Sequence, residues 1–257
     1  MPQPDTDGTQ ELGSVRRAFE IIEYIDENDG LGVSELSKGM EIPKSTAHIY
    51  LKTLANTGFL VKDSGTYKLS LRFLELGGRV RKKEKLFEVA REEIEALSDR
   101  TGEVASVGVE ENGQRVLLHK SEGQNAVYDK VPIGERTNLH WTALGKAILA
   151  FLPMEHVDVI INRHGLPKLT EQTITTRGEL LDELETIQDQ GYSLEDEERR
   201  PGIQSIGVPI RPNGKSVVGS ISLTGPKSKL GDELIEPGLL TEIRDVVNVV
   251  EIKYQHY

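Results

Sequence analysis

Apolar residues recur at helical spacing in the first quarter of the chain and alternate with small polar residues in much of the rest. In SVRRAFEIIEYIDEN, Val15, Ala18, Phe19, Ile22 and Ile25 share one face. This predicts a first helix with that stripe buried, Ser14 as its N-cap and Asn28-Asp29-Gly30 as its end. Val33 to Lys38 reads as a short second helix, broken near Gly39. In PKSTAHIYLKTLAN, Ala47, Leu51, Leu54 and Ala55 fall at i, i+4, i+7 and i+8, the core face of a third helix. Pro43 sits at its start, where proline is tolerated, and Asn56-Thr57-Gly58 stops it. FLVKDSGTYKLS then reads as two strands around an Asp63-Ser64-Gly65 turn. Three helices followed by a hairpin make a winged helix-turn-helix, placed at residues 12–77 behind a polar, disordered leader at 1–11.

A linker helix is expected over 78–101, with Leu86, Ala90, Ile94 and Leu97 on one side. Beyond it, at 102–257, hairpins and helices mix. EVASVGVEE and QRVLLHKSE flank Asn112-Gly113, a strong two-residue hairpin turn. AVYDKVP reads as a third strand, and TALGKAILAFL, EHVDVIINRH and RGELLDELETIQDQG as helices. SIGVPIR and SVVGSISLTGP are strands joined by Pro212-Asn213-Gly214, and a helix closes the chain within 231–257. The class is α+β with an antiparallel sheet.

The net charge of −11 argues against a nucleic-acid partner until its distribution is considered. Between residues 44 and 83 stand nine Lys and Arg against only Asp63 and Glu75, so the acidic excess lies elsewhere. Such an asymmetry points to an anionic partner. The absence of cysteine excludes disulfides and thiolate chemistry. No apolar run reaches the roughly 18 residues of a membrane span, and the first residues do not read as a signal peptide. A cytoplasmic protein with no membrane partner is expected.

The outward face of the third helix fits double-stranded DNA. Ser45 and Thr46 at its start can donate to a phosphate, and Lys44 and Lys52 add charge. His48 can reach a base edge, and Ile49 can pack on a thymine methyl but reads no hydrogen-bond pattern. Lys62, Tyr67 and Lys68 of the hairpin are expected to follow the backbone or enter the minor groove. The alternative is a winged helix used for protein contacts.

In the last strand Ser220, Ser222 and Thr224 alternate with Ile221 and Leu223, and Ser205 shares a face with Gly207 and Pro209. Period two puts the hydroxyls on one face. Two readings stay open from periodicity: a concave site for a carboxylate or sugar, and a sheet with one face in water.

SVRRAFEIIEYI, LSKGMEIPKSTAHIYLKTL, GFL and YKLSLRFLELG, followed by LHWTALGKAILA, EDEE, GIQSIGVPI and SVVGSISLTGP, resemble the isocitrate-lyase-regulator (IclR) family of transcription factors over residues 12–250. The resemblance implies a DNA-binding domain, a linker helix and a GAF-like domain that binds a small effector, an organic or sugar acid. It implies a homodimer or dimer of dimers on an inverted-repeat operator. It also implies effector contacts at Ser205, Ser222, Thr224 and Glu195 (with Asp196 one residue away), at Ala143 and Leu144, and on the strand from Ala126 to Asp129. The chain departs from the family at Ile49, where arginine is common, so guanine readout there is not expected. His140 and Trp141 replace smaller residues; Trp141 is either a reshaping of the pocket or a core anchor.

No HExxH, GxSxG or phosphate loop is present and the six histidines are scattered, so neither an enzyme nor a cofactor is expected. His119 and His140 are the pair that would have to meet for a metal site. A dimerisation domain without a ligand is the alternative function. The acidic balance is compatible with a high-salt cytoplasm such as that of a halophilic archaeon.

Overall fold

Local breaks set the first elements of the computed structural model, which describes residues 11–124, 126, 131–230 and 238–257. The chain divides into two units, Met1–Val80 and Arg81–Tyr257.

In the first unit, α1 (Gly13–Glu27), α2 (Val33–Gly39) and α3 (Lys44–Asn56) precede a hairpin of β1 (Leu60–Asp63) and β2 (Thr66–Leu69). Leu12, not Ser14, stands at the N-cap of α1. The expected buried stripe is also corrected. Ile21 and Ile25 are buried, whereas Val15 and Phe19 are 51% and 60% exposed. Apolar side chains extend around more of α1 than this small core covers. The core is completed by Leu31, Leu36, Ala47, Leu51, Leu60 and Tyr67. Leu31 pairs with Tyr67 as a one-residue bridge against the hairpin.

Two helices replace the single linker helix expected over 78–101: α4 (Arg72–Lys83) and α5 (Lys85–Thr101). Glu84 between them is extended (φ −72°, ψ 112°). The break follows burial, since α4 has no buried residue while α5 buries Leu86, Phe87, Ala90, Ile94 and Leu97.

The second unit is built on β3 (Val104–Glu111), β4 (Gln114–Glu122), β5 (Arg136–Asn138), β6 (Ser193–Asp196), β7 (Ile203–Ile210) and β8 (Gly219–Pro226). Their order is β5-β4-β3-β8-β7-β6, and every neighbouring pair is antiparallel. Asn112 and Gly113 both have positive φ (56° and 80°), as a two-residue hairpin turn of this hand requires. Most of the expected strand AVYDKVP lies outside the described residues; β5 is the strand found beside β4.

One face of the sheet is apolar. Ala105, Val107, Ile206, Val208, Ile221 and Leu223 pack with α5 and α10 (Leu239–His256) in one core. The other face carries the short helix α6 (Ala143–Leu149). Gly207 permits its close approach, because a Cβ there would lie 2.6 Å from the Ala143 carbonyl oxygen. Ser193 Oγ donates to the Ala143 carbonyl at 2.6 Å and Ser220 Oγ to the Leu144 carbonyl at 2.8 Å, fastening α6 to the sheet. Outside α6, α7 (Met154–His164) and α8 (Arg177–Gln190) form a further apolar cluster around Ile148, Leu149, Val157, Leu180 and Leu184. The short α9 (Lys227–Leu230) follows β8. No helix among the described residues is long and apolar enough to cross a membrane.

Candidate functional site

The first candidate surface is the outward face of α3. Ala47 and Leu51 anchor the helix in the core, which turns Lys44, Ser45, His48, Ile49, Lys52 and Thr53 to solvent and leaves Thr46 half-buried. Ile49 is 64% exposed, an apolar side chain held in water at the middle of this face. The turn before α3 is fixed by Ser37 Oγ, which donates to the Ile42 carbonyl at 2.7 Å, and by Glu41 at φ 54°. Lys62 and Lys68 are exposed on the hairpin.

Tyr67 is not available as a contact. It is 3% exposed, and its side chain completes the core beside Leu31 and Leu60. In a four-residue strand only one face meets solvent, and Tyr67 points to the other. Lys62 instead lies over the Tyr67 ring, 5.3 Å from its centroid. Part of the basic excess is engaged internally: Arg72 with the Thr57 carbonyl, Arg79 with Glu75, and Lys68 with Asp29 at 3.7 Å.

The second candidate is a cavity of about 80 Å³ on the polar face of the sheet, beside α6. Strand register builds it. One cross-strand row runs Glu195, Ser205, Thr224, Val104; the next runs Ser193, Gly207, Ser222, Ser106. Glu195, Ser205, Ser222, Thr224, Ala143 and Leu144 all line the cavity. Ala126 is half-buried and is not among the described lining residues; Asp129 lies outside the described residues.

Thr224 Oγ1 donates to Ser205 Oγ at 3.0 Å, and Ser205 Oγ donates to Glu195 Oε2 at 2.9 Å. The Arg199 backbone N–H reaches Glu195 Oε1 at 3.1 Å. Burial pushes the Glu195 carboxyl up to about 7, against the opposing pull of these donors. Asp196, the neighbouring alternative, points away from this chain and pairs with Lys227 at 2.8 Å.

The acidic run is therefore a built segment rather than a solvated loop. Glu198 accepts from Lys146 Nζ at 2.5 Å, and Lys146, 1% exposed, also reaches Glu183 at 2.8 Å. Burial raises the Glu198 pKa even so, although Lys146 opposes it.

Sequence reasoning missed the guanidinium wall. Arg115, Arg199 and Arg200 line the cavity, and Glu195 is the sole acidic residue among its described lining. Arg115 and Arg199 meet on Glu135, at 2.8 Å and 3.0 Å. The available signal was Arg115 itself, a charge on the strand face it shares with Leu117. Arg199 and Arg200 sit in a loop and gave no such signal. Ser106 was also missed, though it alternates with Ala105 and Val107 as the hydroxyls of β8 do with their aliphatics.

Trp141 does not line the cavity. His140 is buried, donates from Nε2 to the Pro167 carbonyl (3.2 Å), and has its pKa lowered by burial. His119 packs edge-on against Phe87 under α5. The two histidines thus have separate surroundings, and no group of three or more metal-ligating side chains occurs among the described residues.

Two family models match the chain: the IclR helix-turn-helix domain over residues 14–64 and the bacterial transcriptional regulator IclR C-terminal over residues 79–251. A similar protein is the probable HTH-type transcriptional regulator ArcR of Halobacterium salinarum, 32% identical over 248 residues, covering 95% of this chain and 94% of that one. The HTH-type transcriptional regulator XynR of Escherichia coli is 30% identical over 224 residues, covering 86% and 89%. Among solved structures, Thermotoga maritima IclR matches with a TM-score of 0.79 at 27% identity, over 95% of this chain and 99% of that one. An IclR homolog from Microbacterium hydrocarbonoxydans, complexed with 4-hydroxybenzoate, matches with a TM-score of 0.80 at 22% identity, over 95% and 99%.

Proposed function

Because the chain belongs to the IclR family of transcriptional regulators, we propose that its DNA affinity is set by a small organic or sugar acid bound in the Glu195 cavity. Residues 12–77 carry operator binding in this reading, and residues 102–257 hold the effector. The observation that carries it is the relay of Thr224, Ser205 and the buried Glu195 in a cavity whose lining also includes Arg115, Arg199 and Arg200. A half-neutralised Glu195 presents little repulsion to an acid near pH 7, and the guanidinium wall favours one. The 4-hydroxybenzoate complex of a fold relative is consistent with a carboxylate ligand. A sheet face left to water would not bury Ser193, Ser205, Ser220 and Ser222 to 6% exposure or less.

On DNA, α3 enters the major groove with Lys44, Ser45, Thr46 and Lys52 on phosphates, His48 at a base edge or phosphate and Ile49 on a thymine methyl. Lys62 and Lys68 follow the backbone. A homodimer, or a pair of dimers, reads two half-sites about one helical turn apart or a multiple of it. The effector acts through its differential affinity for two states of the protein.

Selection from random DNA with the full chain tests the first half. An inverted repeat with thymine at the Ile49 position is expected, and Ile49→Arg should change the preferred base at one position per half-site. Identical motifs for the two proteins would remove the role given to Ile49. Addition of small carboxylates to the selected DNA complex tests the second half: the apparent affinity must change.

A further inference from the structure

The polar face of the sheet carries more hydroxyls than the relay and the helix seat consume. Ser193 and Ser220 are spent on the Ala143 and Leu144 carbonyls. Ser205 and Thr224 are spent on Glu195 and on each other. Ser106 and Ser222 remain. They are register partners on β3 and β8, so their side chains stand on the same face within about 5 Å of one another. Their relative exposures are 7% and 3%, and both line the cavity. Gly207, on the far side of Ser222, has no side chain to obstruct it.

From this we infer that Ser106 is a ligand-contacting residue which, with Ser222, selects hydroxylated acids over deoxy acids of the same carbon skeleton. The inference rests on the reading of the cavity as an acid-binding site and adds to it which acids are preferred. Each of these two hydroxyls lines the cavity and can both donate and accept. A ligand hydroxyl has the same dual capacity, whereas a carboxylate only accepts. The guanidinium wall suits the ionised end of the ligand; the serine pair suits a neutral oxygen elsewhere on it. A deoxy acid leaves both serines unmatched, and sites that bind a hydroxyl in this manner discriminate against analogues lacking it.

The test is titration calorimetry on the full chain with matched probes: propionate, lactate and glycerate, then hexanoate and gluconate. The wild-type protein is expected to favour the hydroxylated members of a series by roughly five- to tenfold, the worth of about one net hydrogen bond. Ser106→Ala should reduce that preference to about twofold or less while leaving the deoxy acid within about twofold of its wild-type affinity. Should wild-type protein bind deoxy and hydroxylated acids equally, or should Ser106→Ala keep the full preference, the role of Ser106 falls while the acid-binding reading stands. Failure of every acid in both series to bind wild-type protein overturns the acid-binding reading and the inference together.

Discussion

Replacing Glu195 with glutamine should stabilise the second unit at high pH and destabilise it slightly at low pH. The carboxyl titrates at about 7 in the folded protein against an ordinary value of 4.5, chiefly because burial disfavours its charge. Between those two pH values the native state holds a proton that the unfolded state has lost, so stability falls as pH rises through this window. At 1.36 kcal/mol per pH unit, the gap of about 2.5 corresponds to roughly 3 kcal/mol lost by pH 8. Glutamine never ionises and escapes that loss. It also has one acceptor oxygen where Glu195 uses two, one for Ser205 and one for the Arg199 N–H, which returns about 1 kcal/mol. The net expectation is a gain of about 2 kcal/mol at pH 8 and a loss of about 1 kcal/mol at pH 4.5. For a unit of this size the gain corresponds to a Tm rise of about 4–8 °C. Differential scanning calorimetry of the full chain, following the transition of the larger unit from pH 4.5 to 8, reads this directly. A Tm difference that does not change with pH would refute the assignment of a proton to Glu195.

Lys146→Met leaves Glu198 buried without its cation and should cost about 3–5 kcal/mol in urea denaturation; adding Glu198→Gln should restore much of it, and an undiminished loss in the double variant would deny the ion pair its role. Gly207→Val places a side chain against the Ala143 carbonyl, so α6 must shift; a cost of about 1–3 kcal/mol and loss of any acid-induced Tm rise are expected, and an unaltered Tm rise would count against the seat of α6 as part of the site. Tyr67→Ala should destabilise the first unit by about 3–5 kcal/mol, whereas Lys52→Ala should leave stability within about 0.5 kcal/mol and lower the salt slope of DNA binding by about one. An unchanged salt slope for Lys52→Ala would remove that lysine from the phosphate contacts.

Much of this was legible in the residues because it is local. The stripe of Ala47 and Leu51, with Pro43 before it and Gly58 after it, is sufficient to define α3 and which of its faces is outward. The alternation of Ser220, Ser222 and Thr224 with Ile221 and Leu223 is sufficient to assign β8 one polar and one apolar face. At two places the sequence misled: nothing in the spacing of α1 says that Phe19 lies outside the core, and nothing in the run across Glu84 says that one helix becomes two.

What the sequence could not decide is whether the polar face of the sheet meets water or a ligand. Period two is the same in both cases, because alternation records the direction of side chains and not what covers them. Only the packing of α6 over Gly207 makes that face an interior, and only strand register sets Ser205 between Glu195 and Thr224. Burial then pushes the Glu195 carboxyl up to about 7, and long-range folding brings Arg115 and Arg199 to one carboxylate from positions far apart in the chain. Sequence alone determined most of the elements, the faces of α3 and β8, and the family. Tertiary structure decided which polar face was enclosed, since enclosure depends on contacts between segments that no local pattern encodes.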